Sequence, residues 1–221
     1  MAVEIGIGLR QTSCASGLVR GNMGESGFWN QPIETGEIPD SNSNYEVIVV
    51  GGGPGGSAAA GYLAMGGKRV LLIEKGVWPR DKVCGDAVGG KSLGHVKALG
   101  VKDRLESSPH FRVNGIVFSS PNGSTVRVAL PEDDVEKMEA GYSLPRQQFD
   151  WILFERASSL VLENGGSVIQ GGDVREVKTN EDGSTIIGVD VRVGGRKGEM
   201  YSYNADWIVG AGGYQCPVAK K

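Results

Sequence analysis

The chain has 221 residues, 23 of them basic and 26 acidic, for a net charge of −3; that length supports one large domain or one and a half, and the balance leaves no basic field for nucleic acid. Its three cysteines, Cys14, Cys84 and Cys216, are odd in number and far apart, which excludes a disulfide framework and a zinc spacing, predicts no metal site and suits a reducing cytoplasm. No stretch reads as a membrane span, because Pro54 and its neighbouring glycines break the apolar run over 47–66, and no basic segment followed by an apolar core marks a secretory signal; a cytoplasmic location is expected, with any membrane contact peripheral.

Residues 1–44 are rich in Gly, Ser, Asn and Glu, without a sustained period of 2 or 3.6, and are expected to form a disordered or loosely packed extension that Phe28 and Trp29 anchor weakly. The informative stretch begins at Tyr45. Val47–Val50 is an apolar, β-branched run and reads as a buried parallel strand. Gly51-Gly52-Gly53-Pro54-Gly55-Gly56 then turns into an alanine-rich helix stopped by Gly66-Gly67, and Arg69–Glu74 reads as a second strand.

This is a βαβ unit whose turn carries G-x-G-x-x-G at Gly51, Gly53 and Gly56. Gly51 allows the tight turn, Gly53 lets a pyrophosphate approach the backbone, and Gly56 lets helix and strand pack closely. The pyrophosphate would rest on the free N–H groups of the helix N-terminus, where the dipole favours negative charge. Glu74 follows Gly51 by 23 positions, so its carboxylate can accept hydrogen bonds from a ribose and would repel the 2′-phosphate of NADP. The unit predicts dinucleotide binding and does not by itself choose between NAD and the ADP half of FAD.

Beyond Glu74, the stretch from Lys75 to Gly90 is kept irregular by Pro79 and its glycines, and it leaves the sheet edge where ligands bind in such folds. A short helix is expected over 91–99. Strands over 112–118 and 125–129 flank a Pro121-Asn122-Gly123 turn and read as part of a second, antiparallel sheet over 111–145. Glu132-Asp133-Asp134 reads as a solvated loop, and His95 and His110 as surface or structural residues. Apolar positions 149, 152, 153, 157 and 160 mark one face of a helix that Asn164-Gly165-Gly166 ends. Strands are expected near 173–179, 184–193 and 198–203 as a β-meander, and a further strand over 205–209 runs into Gly210-Ala211-Gly212-Gly213. The expected fold is α/β, a Rossmann-type domain over 45–221 with a parallel sheet, and incomplete at its C-terminal end, so the chain is read as the N-terminal part of a longer protein.

The Rossmann unit, the segment Pro79-Arg80-Asp81-Lys82-Val83-Cys84-Gly85-Asp86, the stretch Leu144-Pro145-Arg146-Gln147-Gln148-Phe149-Asp150 and Val209-Gly210-Ala211-Gly212-Gly213 occur in that order. Together they resemble the geranylgeranyl reductase family, within the larger group of FAD-dependent oxidoreductases built like aromatic-ring hydroxylases. The resemblance implies FAD as cofactor, held by Gly51, Gly53, Pro54, Gly55, Gly56, Glu74, Lys75, Arg80 and Gly212, with Arg146 on the flavin nucleotide and Cys84 and Gly85 beside the isoalloxazine. The implied reaction saturates C=C bonds of a prenyl chain on a lipid, a chlorophyll precursor or a quinone: hydride from the reduced flavin goes to one carbon and a proton to the other. The electron donor, NAD(P)H or ferredoxin, is left open.

An isolated alkene accepts hydride poorly, so an acid must serve the second carbon; a cysteine thiol is mostly protonated at neutral pH, which makes Cys84 the candidate catalytic residue. Arg80 and Lys82 are alternatively solvated, or face a flavin phosphate or a lipid headgroup. Related hydroxylases carry Gly-Ala-Asp-Gly followed by a serine and an arginine, where this chain has Gly212, Cys216 and Lys220. A flavin monooxygenase or halogenase of the same fold is the competing enzyme, and a nucleotide-binding fragment without catalysis the competing non-enzyme.

Overall fold

A computed structural model of the chain describes residues 2–4, 27–137 and 140–220. In chain order its elements are β1 (Ala2–Glu4), β2 (Asn44–Val50), α1 (Pro54–Met65), β3 (Val70–Glu74), β4 (Ala87–Val88), α2 (Ser92–Ala98), α3 (Lys102–Glu106), β5 (Phe111–Arg112), β6 (Gly115–Ser119), β7 (Thr125–Ala129), α4 (Glu132–Glu136), β8 (Tyr142–Ser143), α5 (Arg146–Glu163), β9 (Ser167–Gln170), β10 (Gly172–Thr179), β11 (Ile186–Val193) and β12 (Glu199–Gly210). They fall into two units: one takes in β1 and Val83–Arg146, the other Phe28–Lys82 and Gln147 onward.

The second unit is built on a six-stranded sheet in the order β10-β11-β12-β2-β3-β9. The pairs β12–β2, β2–β3 and β3–β9 are parallel, whereas β10–β11 and β11–β12 are antiparallel. Parallel strands covered on both faces should be apolar throughout, and all five residues of β3 are buried. One sheet face packs Ile48, Leu71, Ile73, Ile169, Val189, Val191 and Tyr203 into a single cluster; each such aliphatic side chain contributes about 1.5–3 kcal/mol by leaving water. Helix α1 buries only small residues, Gly56, Ser57, Ala60, Gly61 and Ala64. Pro54 opens it at a position that needs no N–H, and Gly67, at φ +76°, ends it.

Several differences from the sequence reading have physical causes. The strands expected at 198–203 and 205–209 are one strand, β12. Its first half pairs antiparallel with β11 and its second half parallel with β2, Asn204 pairing on both sides, so the meander and the parallel sheet are continuous. Strand β9 was not expected, because four residues directly behind Gly165-Gly166 are too short to show a period. Within the extension expected over 1–44, residues 5–26 lie outside the described residues. Residues 28–44, however, are tied down rather than loose: Gln31 O accepts the Trp151 indole N–H at 2.8 Å, Ile33 O the Gln170 amide at 2.7 Å and Pro39 O the Tyr203 hydroxyl at 2.9 Å.

The first unit holds two three-stranded sheets, β1-β6-β7 and β4-β8-β5. The hairpin β6–β7 pairs Ile116 with Val128 and Phe118 with Val126 around the turn over 120–124. The acidic run 132–134 is the first turn of α4 rather than a loop, where carboxylates favour the positive end of the helix dipole. His110 has a structural place, its Nδ1 2.8 Å from Ser108 O and its ring edge-on to Tyr142. Among the described residues no helix is long and apolar enough to cross a membrane, and no group of three His, Cys, Asp or Glu is placed to hold a metal ion.

Candidate functional site

The carboxyl ends of β2, β3 and β12 meet at the glycine turn. Gly51 N–H donates to Ile73 O at 2.7 Å and Ala211 N–H to Val50 O at 2.8 Å, which locks the three strand ends together. Gly51 sits at φ +111°, and a Cβ there would lie 2.5 Å from Ala211 O; glycine is required on both counts. A Cβ at Gly56 would stand 1.7 Å from Gly51 O, and one at Gly52 2.5 Å from the ring of Phe154. These three glycines serve close packing. Gly53 and Gly55 differ: a Cβ at either would meet no atom within 4 Å. Their backbone faces open space at the start of α1, where the first N–H groups of a helix have no intrahelical acceptor. This is a cradle of the kind that a diphosphate fills.

Glu74 ends β3 against this turn. Its Oε2 accepts the Gly52 N–H at 2.6 Å, its Oε1 accepts the Gly76 N–H at 2.8 Å, and Arg80 Nε lies 3.4 Å from Oε1. The residue is only 8% exposed. A carboxylate offers about four acceptor positions, so these contacts leave capacity for a sugar hydroxyl. Arg80 stacks over Trp78, its guanidinium carbon 4.5 Å from the ring centre. Trp78 is buried against Phe154, the ring centres 5.5 Å apart.

A cavity of about 360 Å³ opens beside the turn, lined among others by Gly51, Glu74, Lys75, Asp173, Arg175 and Gly212. Asp173 bridges Lys75 at 3.1 Å and Arg175 at 3.0 Å. Burial pushes its carboxyl up, but the two cations and their hydrogen bonds outweigh that and hold it below the usual carboxylate range. Gly212 packs on the buried Cys216, whose Sγ would lie 3.2 Å from a Cβ there. The residues present fit the ADP portion of FAD: an open backbone at a helix N-terminus for the diphosphate, and a carboxylate fixed beside it for the ribose.

The other predicted positions belong to the first unit. Cys84 is an exposed free thiol, and Gly85 has no atom within 4 Å of a Cβ. The next residue, Asp86, accepts the Leu144 N–H on its carbonyl at 3.0 Å and the Arg146 N–H on Oδ1 at 3.1 Å, while Ala87 pairs with Ser143. The loop over 84–86 and the stretch over 144–146, far apart in sequence, are therefore neighbours. Sequence reading missed Gly52, Trp78, Phe154 and Asp173. Phe154 supports both Gly52 and Trp78 from more than seventy residues away in the chain, and no local pattern announces that.

The FAD-binding domain family matches residues 44–221 of the chain. Digeranylgeranylglycerophospholipid reductase 1 of Methanothermobacter thermautotrophicus is 31% identical over 179 residues, 79% of this chain and 40% of that protein. Among solved structures, a geranylgeranyl bacteriochlorophyll reductase-like protein of Thermoplasma acidophilum superposes with a TM-score of 0.56 at 26% identity, covering 75% of this chain and 38% of the other. The myxobacterial chondrochloren halogenase CndH, an FAD-dependent enzyme, gives 0.62 at 26% identity, covering 75% and 36%. The chain spans 17% to 40% of the length of curated relatives that it matches.

Proposed function

We propose that this chain, which belongs to the FAD-binding domain family, is the cofactor-binding part of a flavoprotein that reduces C=C bonds of a prenyl chain carried by a lipid, a chlorophyll precursor or a quinone. The observation that carries the cofactor half is the pairing of the open Gly53–Gly55 backbone with a carboxylate held 2.6 Å from the turn. The similarity to a digeranylgeranylglycerophospholipid reductase supports the substrate half. When bound, reduced FAD supplies the hydride. The chain's own residues do the rest: the turn over 51–56 and the N-terminus of α1 hold the diphosphate, Glu74 fixes the adenosine ribose, and Arg146 contacts the flavin nucleotide. Lys75, Arg80 and Gly212 complete the cofactor site, with Gly85 beside the flavin. Cys84, an exposed thiol on its loop, holds the proton destined for the second alkene carbon. A substrate whose tail lies in a bilayer is met peripherally, from the cytoplasmic side.

The test is anaerobic incubation of the full-length flavoprotein with a geranylgeranyl lipid and a chemical reductant, followed by mass spectrometry. Gain of hydrogen across the prenyl double bonds is expected. The superposition on CndH favours a second reading, halogenation or oxygenation by the same fold. A product carrying halide or oxygen, with prenyl bonds untouched, would establish that reading and remove the first.

A further inference from the structure

Glu74 does not stand alone. Arg80 Nε is buried, and its distance of 3.4 Å from Glu74 Oε1 is an ion-pair contact rather than a hydrogen bond. The guanidinium carbon sits over the Trp78 ring, and Trp78 is fixed three times: by its ring on Phe154, by burial to 2% exposure, and by its backbone N–H donating to Gln170 Oε1 at 2.8 Å. The side chain of Arg80 reaches Glu74 by crossing the backbone at Gly76, where a Cβ would stand 2.6 Å from Arg80 Cδ and 3.1 Å from Glu74 Oε1. A side chain at position 76 would wedge the pair apart. Helix α5, through Phe154, thus sets a platform, the platform sets a cation, and the cation leans on the carboxylate from the side already taken by Gly76 N–H.

We propose that Arg80 is a positioning residue for ribose recognition: it draws Glu74 Oε1 to the Gly76 side and so turns the remaining acceptor position of the carboxylate toward the 2′-hydroxyl of the adenosine. This rests on the reading of Glu74 as the ribose ligand. It differs from a direct phosphate contact by Arg80, because it makes the arginine's effect depend on one hydroxyl of the ligand.

The probe is therefore a pair of ligands, FAD and FAD built on 2′-deoxyadenosine, titrated into flavin-free full-length protein by fluorescence quenching. Wild type is expected to prefer FAD roughly tenfold, the scale of one hydrogen bond to a charged group. Arg80→Met should lose about that factor for FAD and leave the deoxy ligand unchanged. Arg80→Lys, which keeps the charge but not the guanidinium over the Trp78 ring, should fall between the two. Equal weakening of both ligands in Arg80→Met would overturn the proposal in favour of a diphosphate contact or a loop defect, and no weakening of either would overturn it outright. Glu74→Ala separates the two layers. If it abolishes the preference between the ligands while Arg80→Met does not, only the role of Arg80 falls; if it leaves the preference intact, the ribose reading falls and takes the proposal with it.

Discussion

The two kinds of glycine in the turn predict opposite phenotypes for two small substitutions. In Gly56→Ala the new Cβ starts 1.7 Å from Gly51 O, and a real Cβ contact is essentially never under 3.0 Å, so α1 must move off the turn by about 1.3 Å. The atom in the way is backbone and cannot rotate aside. Overpacking of this kind costs about 3 kcal/mol at the upper end of its range, and the better helix propensity of alanine returns up to about 1 kcal/mol. The net of about 2 kcal/mol lowers Tm by roughly 4–8 °C in a chain of this size. In Gly53→Val the backbone is extended at φ −71° and ψ 179°, which valine adopts freely, and no atom lies within 4 Å of its Cβ. Only the N-cap preference is lost, about 1 kcal/mol, yet the branched side chain fills the space assigned to the diphosphate. Calorimetry on flavin-free protein and flavin content after reconstitution read the two effects separately. Gly56→Ala should melt early, whereas Gly53→Val should melt almost normally and stay colourless. A fully flavinated Gly53→Val protein would refute the cradle, and a wild-type melting point for Gly56→Ala would refute the close helix–turn contact.

Three further outcomes follow from the same geometry. Glu74→Gln turns an amide N–H₂ toward one of the two backbone N–H groups that the carboxylate now accepts; losing charge-assisted bonds should weaken FAD binding by about 2 kcal/mol, read as flavin lost on dialysis, and unchanged retention would remove Glu74 from the site. Cys84→Ala should slow prenyl reduction in single-turnover experiments while flavin reduction by the donor keeps its rate; equal alkene rates would end the proton-donor role. Burial, helped by Tyr45, Tyr201 and Asp40, pushes the Tyr203 phenol well above its ordinary value. A group held neutral in the fold stabilises it below the unfolded value, near pH ~10, and that stability declines as pH rises further, by up to about 1.4 kcal/mol per pH unit. Urea unfolding at about pH 8 and about pH 11 should therefore show a smaller alkaline loss for Tyr203→Phe than for wild type, together with about 1 kcal/mol lost at pH ~8 because Pro39 O is left without its donor.

How much of this was legible in the chain depends on the distance over which each constraint acts. The βαβ unit was legible because strand, turn, helix and acid follow one another within thirty residues, and each residue type answers to a local demand: Gly51 to a positive φ, Pro54 to a first helical turn, Glu74 to the strand end. Even there, the sequence could not name the atoms that the packing glycines meet. The motif assigns Gly51 to the turn, Gly53 to the ligand and Gly56 to packing, while the atoms that enforce glycine, Ala211 O over Gly51 and Gly51 O over Gly56, come only with the fold. Longer-range facts were hidden for the same reason. Residues 28–44 look like a tail because much of what ties them down is backbone: carbonyls of Gln31, Ile33 and Pro39 are claimed by Trp151, Gln170 and Tyr203, and no composition rule registers a carbonyl. The division of β12 into two expected strands arose because its partner changes at Asn204 from β11 to β2, and the side-chain pattern changes with the partner although the backbone runs on. That continuity has a consequence for the site: the strand that closes the meander delivers Ala211 to the roof of Gly51, so the shape of the dinucleotide turn is set in part by residues that enter the fold some 160 positions later.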